Sequence, residues 1–187
     1  MELREIVRKI DPTLEIAEVL SEPPNIVAIT YSEDTPKILK IFPIRGRQIN
    51  HLQREACALK RGEGIPGIPS LVKDYGRQED FYAILREYAK GKTVEEMPGR
   101  TIQDEHLYSL LLETIHSLHT RGIANLDINR ENVVVSPNEQ TATIIDLGHA
   151  IFDSDYSFWN GWWKIHQAKQ DDLNDLKNLC WKVPGII

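Results

Sequence analysis

Apolar residues in the first third of the chain come in short runs set between turn-forming residues. Leu14 to Val19 and Asn25 to Thr30 are two such runs, separated by Ser21-Glu22-Pro23-Pro24. Two consecutive prolines supply no N–H to a ladder, so they mark a turn rather than a strand interior. Lys37 to Phe42 is a third run, closed by Pro43. The spacing predicts three antiparallel strands in a meander. At Ile49 the period changes: Ile49, Leu52, Ala56 and Leu59 recur at intervals of three and four, on one face of a helix that runs to Arg61. Gly62, Gly64, Pro66 and Gly67 stop it. Ser70 to Tyr75 and Phe81 to Tyr88 read as two more strands, joined by the polar turn Arg77-Gln78-Glu79-Asp80. Five strands with one inserted helix predict an α+β unit.

From Gln103 the period is helical, with Leu107, Leu110, Leu111, Thr114, Ile115 and Leu118 forming a broad stripe that ends at Gly122. Ile123 to Asn132 has mixed polarity and reads as a loop. Val133-Val134-Val135 and Thr141 to Ile145, joined across Ser136 to Gln140, predict a hairpin. Asp171 to Val183 reads as a last amphipathic helix. The strand-rich and helix-rich parts meet at Tyr88 to Thr93, around Lys90-Gly91-Lys92.

Length and charge narrow the function classes. A chain of 187 residues with 41% hydrophobic content supports one compact domain or two small lobes. A net charge of −6 provides no global basic field to recruit nucleic acid or anionic lipid. Cys57 and Cys180 lack metal-ligand spacing and read as thiols in a reducing compartment. The first ten residues carry charges too often for a secretory leader, and no apolar run approaches the roughly 20 residues of a membrane span. The expectation is a soluble, cytoplasmic protein without a nucleic-acid partner.

The candidate chemistry lies on both sides of the hairpin. Asp127 and Asn132 are five positions apart just before the first β-run, and Asp146-Leu147-Gly148 follows the second. A strand pair thereby brings three oxygen-bearing side chains near one point. Hard magnesium prefers oxygen ligands, which suits Asn132 and Asp146, and leaves Asp127 to accept a proton from an attacking hydroxyl or to orient it. Upstream, Lys40 lies within Ile38-Leu39-Lys40-Ile41-Phe42, and Glu55 lies on the following helix. A lysine held by a helix glutamate is placed to meet ATP phosphates. Lys37 competes for this role, but it stands at the start of the strand and faces the other side, so Lys40 is preferred. His116 and His119 have no third ligand at metal spacing and read as surface or half-buried residues. Phe158-Trp159-Asn160-Gly161-Trp162-Trp163 reads as aromatic packing under a small helical lobe, in preference to a stacking platform.

In this order the segments resemble the protein-kinase superfamily. Ile38 to Phe42 is similar to its third-strand lysine segment, Arg54-Glu55 to its helix glutamate, and Asp127 to Asn132 to its catalytic loop. Leu85-Arg86-Glu87-Tyr88-Ala89-Lys90-Gly91 resembles the hinge, and Asp146-Leu147-Gly148 the magnesium motif. Asp171-Asp172-Leu173 resembles the start of the long helix that follows. The resemblance implies one two-lobed kinase-like domain over residues 1–187. Its strand-rich lobe covers about 1–88, its hinge about 87–92, and a reduced helical lobe about 93–187. It further implies ATP and Mg2+ as cofactors, with backbone groups of Glu87 and Ala89 meeting adenine. Asp127 and Lys40 become the catalytic residues, and Asn132 and Asp146 the metal ligands. The acceptor would be a hydroxyl, foremost Ser/Thr of a protein and alternatively that of a sugar or small molecule; a pseudokinase binding module is the non-enzymatic alternative. The short chain, Ile65-Pro66-Gly67-Ile68-Pro69 and Asp127-Ile128-Asn129 resemble the small bacterial RIO-like and lipopolysaccharide-core-sugar kinase groups.

The sequence also departs from the family's pattern. No glycine-rich loop is present; the equivalent turn, Ser21-Glu22-Pro23-Pro24-Asn25, leaves the Ser21 hydroxyl as a partial substitute for backbone donors. Asn125-Leu126 replaces the usual His-Arg, and Asn129 stands where protein kinases place a lysine. No Ala-Pro-Glu motif follows Gly148.

Overall fold

Leu3, Ile6, Val7 and Ile10 recur at helical spacing, and Leu3–Ile10 forms helix α1. Its charged residues, Arg4, Glu5, Arg8 and Lys9, obscure this stripe, and the pattern reading above does not anticipate the helix. The structure is a computed structural model and describes residues 3–32, 34–45, 48–138, 140–156 and 162–180. Strands β1 (Glu15–Ser21), β2 (Ile26–Ser32) and β3 (Thr35–Pro43) form the expected meander. Helix α2 (Gln48–Arg61) follows, then β4 (Leu71–Arg77) and β5 (Phe81–Glu87). The five strands form one sheet in the order β1-β2-β3-β5-β4, every neighbouring pair antiparallel.

Strand alternation divides the sheet between two helices. Leu39 and Ile41 of β3 join Ala83 and Leu85 of β5 in a buried cluster with Val7 of α1. Tyr82 and Ile84 of β5 point the other way and pack with Leu52, Ala56 and Leu59 of α2. The expectation of one helix on this sheet is therefore corrected to two. Asp11, just past α1, accepts from Tyr75 Oη at 2.8 Å and Lys73 Nζ at 3.2 Å, tying the helix end to β4. Hydrogen bonds from Thr13 foremost, then those from Tyr75 and Lys73, outweigh burial and hold its carboxyl well below the usual carboxylate range.

Beyond β5 the chain passes through residues 88–91 into β6 (Lys92–Thr93). A side chain at Gly91 would overlap the Val135 carbonyl, so glycine permits this close passage. Helix α3 (Glu105–Thr120) starts at Asp104, which accepts from His106 N at 2.7 Å and Leu107 N at 3.3 Å. Strand β7 (Ile123–Ala124) corrects the reading of its stretch as loop throughout. The hairpin forms as β8 (Val133–Val135) and β9 (Ala142–Ile144), with β6 added beside β8, while β7 pairs with β10 (Ile151–Phe152). Leu107, Leu111, Ile115 and Leu118 of α3 are buried in the same cluster as Leu52 and Ile84, so one core runs from α2 and β5 into the helical part.

Helix α4 (Trp162–Leu179) begins nine residues before the expected Asp171; Val183 lies outside the described residues. Its buried positions, Ala168, Asp172, Leu176 and Leu179, start two turns into the helix. Trp162 and Trp163 precede them and are 67% and 66% exposed, so for these two the packing expectation is corrected. Phe158, Trp159, Asn160 and Gly161 lie outside the described residues. No helix among the described residues is long and apolar enough to cross a membrane.

Candidate active site

Lys40 occupies the middle of β3, opposite Val27 of β2 and Ile84 of β5. Period-2 alternation puts it on the face that α2 covers, and it is only 4% exposed. A buried ammonium requires partners. Its Nζ donates to Glu55 Oε2 at 2.6 Å and to Asp146 Oδ2 at 3.2 Å. The strand lysine, the helix glutamate and the carboxylate of the Asp-Leu-Gly turn thus meet, although Lys40 and Asp146 are 106 positions apart. Lys37 lies half-buried opposite Glu87 at the other end of the strand.

Sequence reasoning gave no role to a fourth member of this cluster, Arg86. It is fully enclosed, with Nε 3.3 Å from Glu55 Oε1. That contact is close enough for an ion pair, and among the described residues neither atom has a hydrogen-bond partner. Burial draws the Arg86 pKa below its ordinary value, against the opposing pull of Glu55 and Asp146. Two cations and two carboxylates are therefore gathered in one place, with Lys40, Glu55 and Arg86 buried and the Asp146 side chain 42% exposed at its edge. At Asp146, burial works to raise the pKa. Lys40, the Gly148 N–H at 2.8 Å and Arg86 outweigh it and hold the carboxyl below the ordinary carboxylate value.

The Asp127 loop is a self-braced turn. Asn129 Oδ1 accepts from Glu131 N at 2.9 Å and Asn132 N at 3.0 Å, so this oxygen shapes the loop. Asn132 Nδ2 donates to Asp127 Oδ2 at 3.0 Å and to the Asp127 carbonyl at 3.1 Å. Asn125 and Asp127 have left-handed φ values of 59° and 53°, which Asn and Asp reach more readily than other non-glycine residues but which a backbone hold favours. Asp172 of α4 supplies that hold. It is 1% exposed and accepts from Leu126 N at 2.7 Å and Asn125 N at 3.0 Å. His119 Nε2 of α3 lies 2.8 Å from the same carboxylate. His119 is therefore a buried partner of the loop's anchor, rather than the surface or half-buried residue expected, while His116 is exposed.

Asp127, Asn132 and Asp146 line one cavity of 370 Å3, together with Asn25, Phe42, His51, Glu55, Asn129, Glu131 and His149. Among the described residues no three His, Cys, Asp or Glu side chains are gathered as a metal cage. The oxygens of Asn132 and Asp146 nonetheless fit magnesium, which takes one or two protein oxygens and completes its shell from phosphate and water. Ser21 ends β1, exposed and opposite Val27, and Asn25 is the residue of its turn that reaches the cavity. Glu87 is bonded through three groups. Its N–H donates to Ser70 O at 3.0 Å, its Oε2 accepts from Ser70 N at 3.2 Å, and its carbonyl accepts from Arg86 Nη1 at 3.0 Å. Ala89 lies half-buried just beyond β5.

The two cysteines are free thiols, Cys57 half-buried and Cys180 buried, with burial pushing the Cys180 pKa up to about 12.

No family model matches the chain. It is 31% identical over 98 residues to serine/threonine-protein kinase D of Synechocystis, a match covering 51% of this chain and 19% of that protein. It is 25% identical over 135 residues to calcium/calmodulin-dependent protein kinase type II of Caenorhabditis elegans, covering 69% of this chain and 19% of the other. The MAP kinase-interacting serine/threonine-protein kinase 2 of Xenopus laevis is 24% identical over 131 residues, 66% of this chain and 28% of its own length. The matches thus span roughly a fifth to a quarter of these relatives' lengths. The distant relatives are serine/threonine protein kinases, which supports the protein-kinase superfamily and, at a coarse level, a kinase role for this chain.

Proposed function

We propose that this chain is an ATP- and magnesium-dependent phosphotransferase that moves the γ-phosphate of ATP to a hydroxyl, foremost that of a protein Ser or Thr. One observation carries the reading: Lys40 Nζ joins Glu55 at 2.6 Å and Asp146 at 3.2 Å at the wall of the cavity that holds Asp127 and Asn132. In this reading residues 1–88 form one lobe, 87–92 the hinge, and 93–187 belong to the second lobe. The protein is cytoplasmic and akin to the small RIO-like or lipopolysaccharide-core-sugar kinase groups.

When bound between Asn132, Asp146 and the phosphates, magnesium supplies charge neutralisation at the transferring group. Lys40 turns from Asp146 toward the phosphates while Glu55 retains it. Asp127 orients the acceptor hydroxyl and takes its proton. The hydroxyl oxygen bonds to the γ-phosphorus as the bond from that phosphorus to the β–γ bridging oxygen breaks, and ADP departs. The Glu87 N–H is taken by Ser70, so Glu87 meets the adenine through the second lone pair of its carbonyl, and Ala89 through a backbone group.

A sugar or small-molecule acceptor is the second reading. A cavity of 420 Å3 with a mixed lining, polar at Glu95, Asn129, Arg130, Glu131, Asp175 and Asn178 and apolar at Ile128 and Leu179, shares Asn129 and Glu131 with the first cavity and has room for a compact polyol. Incubation with γ-labelled ATP and magnesium, followed by separation of labelled protein, glycan and small-molecule fractions, tests both. Label in protein supports the first reading and label in the others the second. ATP binding without transfer to any acceptor establishes the pseudokinase alternative.

A further inference from the structure

The cavity that holds Asp127, Asn132 and Asp146 is also walled by Glu55 and Glu131, so four carboxylates face the place proposed for a triphosphate. Lys40 is already engaged by two of them. The turn between β1 and β2 supplies little compensation. Pro23 and Pro24 have no N–H, Glu22 is anionic, and only Asn25 of this turn lines the cavity. A terminal phosphate bound here therefore needs donors from another element.

Two side chains not used so far are placed to provide them. His51 lies on α2 one turn before Glu55, so both project from the same face into the cavity. His149 follows Asp146-Leu147-Gly148 directly. The two rings meet edge-to-face with centroids 4.3 Å apart. Gly148 makes this meeting possible: a Cβ there would lie 3.3 Å from both the Cβ and the carbonyl oxygen of His51, closer than most side-chain packing tolerates. Among the described residues neither imidazole makes a hydrogen bond or ion pair. Each neutral imidazole carries one N–H donor. Two N–H donors without a partner among the described residues, His51 half-buried and His149 exposed, thus stand together in a carboxylate-lined cavity beside the magnesium-type oxygens.

We propose that His51 and His149 form a donor pair for the terminal phosphate of a magnesium–nucleoside triphosphate. They take the place of backbone amides that the Pro-Pro turn does not offer. Because one ring is on α2 and the other beside Asp146, a bound terminal phosphate draws α2 and the Asp-Leu-Gly turn together. The pair selects a triphosphate over a diphosphate. The inference rests on the phosphotransfer reading of the same cavity.

Calorimetric titration of the full chain with Mg-ATP and with Mg-ADP tests it in the wild type, His51→Ala, His149→Ala and the double variant. Loss of one hydrogen bond of about 1 kcal/mol corresponds to roughly fivefold in affinity. Each alanine should weaken ATP about fivefold on that basis, leave ADP unchanged, and in combination erase most of the ATP-over-ADP preference. His51→Gln and His149→Gln, which keep an N–H donor, should recover part of the loss. Equal loss for both nucleotides would make the pair only a packing contact between α2 and the turn, and would overturn the proposal; so would an unchanged ATP-to-ADP ratio. A wild type that binds neither nucleotide overturns the phosphotransfer reading and this inference together, whereas one that binds both with an unaltered ratio in the variants overturns this inference alone.

Discussion

Asp172→Ala is expected to remove the support of the Asp127 loop and destabilise the protein by about 3 kcal/mol. Asp172 receives three donors: Leu126 N at 2.7 Å, His119 Nε2 at 2.8 Å and Asn125 N at 3.0 Å. The first two are buried, and a buried donor left without an acceptor costs about 1–3 kcal/mol. Asn125 is exposed, so water can replace the acceptor at its N–H, and its share is smaller. Two orphaned donors therefore give roughly 2–6 kcal/mol, less the desolvation that the missing carboxylate no longer requires. At about 2–4 °C per kcal/mol for a chain of this size, the melting temperature falls by roughly 6–12 °C. Urea titration gives the free energy and a thermal melt the second measure. Asp172→Asn retains one oxygen and should lose less. In either variant the left-handed φ values of Asn125 and Asp127 lose their tether, so phosphoryl transfer should fall further than the unfolded fraction explains. A loss below about 1 kcal/mol for Asp172→Ala would mean that these bonds exchange freely with water, and the anchoring argument would be refuted.

Lys40→Ala should reduce transfer far more than Lys37→Ala, because Lys40 alone meets Glu55 and Asp146; equal rates for the two variants would contradict the strand register. Asp127→Asn should leave nucleotide affinity intact and lower transfer by roughly 10²–10⁴-fold, the range for a general base, and an unchanged rate would exclude Asp127 from that role. The Asp146 carboxyl is held below its unfolded value, so its contact with Lys40 contributes full stability above the ordinary carboxylate pKa of about 4 and loses it as pH falls through the lower folded value. Urea titrations of the wild type and Asp146→Asn should accordingly differ by a constant amount near neutrality and converge in acid; a difference that persists in strong acid would show that protonation of Asp146 is not its cause.

The strand-rich part was legible in the sequence because its signals are local. Alternation in β3 put Lys40 on the face opposite Leu39 and Ile41, and the helical period of Leu52, Ala56 and Leu59 put Glu55 on a buried face. The same logic reaches Arg86, which shares a face with Tyr82 and Ile84 in β5. A charge on an apolar strand face was the available signal, and it passed unread because arginine at a strand end is ordinarily exposed. Helix α1 is equally legible from Leu3, Ile6, Val7 and Ile10, although the charged residues between them obscure the stripe. Strands β7 and β10 are two residues each, too short for any period to register. Asp172 could not be assigned from spacing at all. It lies 46 and 47 positions from the backbone groups it holds, and only the packing of α3 against α4 brings it there. In the turn after β1, whose last residue Ser21 pairs opposite Val27, it is Asn25 that lines the cavity, a placement no spacing in the sequence specifies.

The remaining prediction concerns how α2 is held. In a site that depends on Glu55, α2 must stay close to the Asp-Leu-Gly turn, and here the segment that follows the turn fastens it. Arg54 Nη1 donates to the Ala150 carbonyl at 2.9 Å and to Asp155 Oδ2 at 3.0 Å. Arg61 Nη2 donates to Ser154 Oγ at 2.8 Å, its Nη1 lies 3.5 Å from Asp153 Oδ1, and its guanidinium sits 4.5 Å from the centroid of the Phe152 ring. Each ion pair is partly exposed and by itself worth about 0.2–1 kcal/mol, but both arginines act across one joint and need no phosphate to do so. Leu126, beside Asp127, is an apolar residue with no means of binding a phosphorylated segment. Transfer activity should therefore survive phosphatase treatment of the purified protein. Arg54→Ala with Arg61→Ala should weaken transfer; the two lost ion pairs cost about 0.4–2 kcal/mol of stability, and the bonds to Ala150 and Ser154 add to that. Their double loss should also speed amide hydrogen exchange in α2 around Glu55 while leaving β3 protected. If phosphatase silences the wild type, a phosphate is needed and the arginines do not suffice; if the double variant transfers phosphate as well as the wild type does, the two arginines are surface decoration and α2 is held by the core alone.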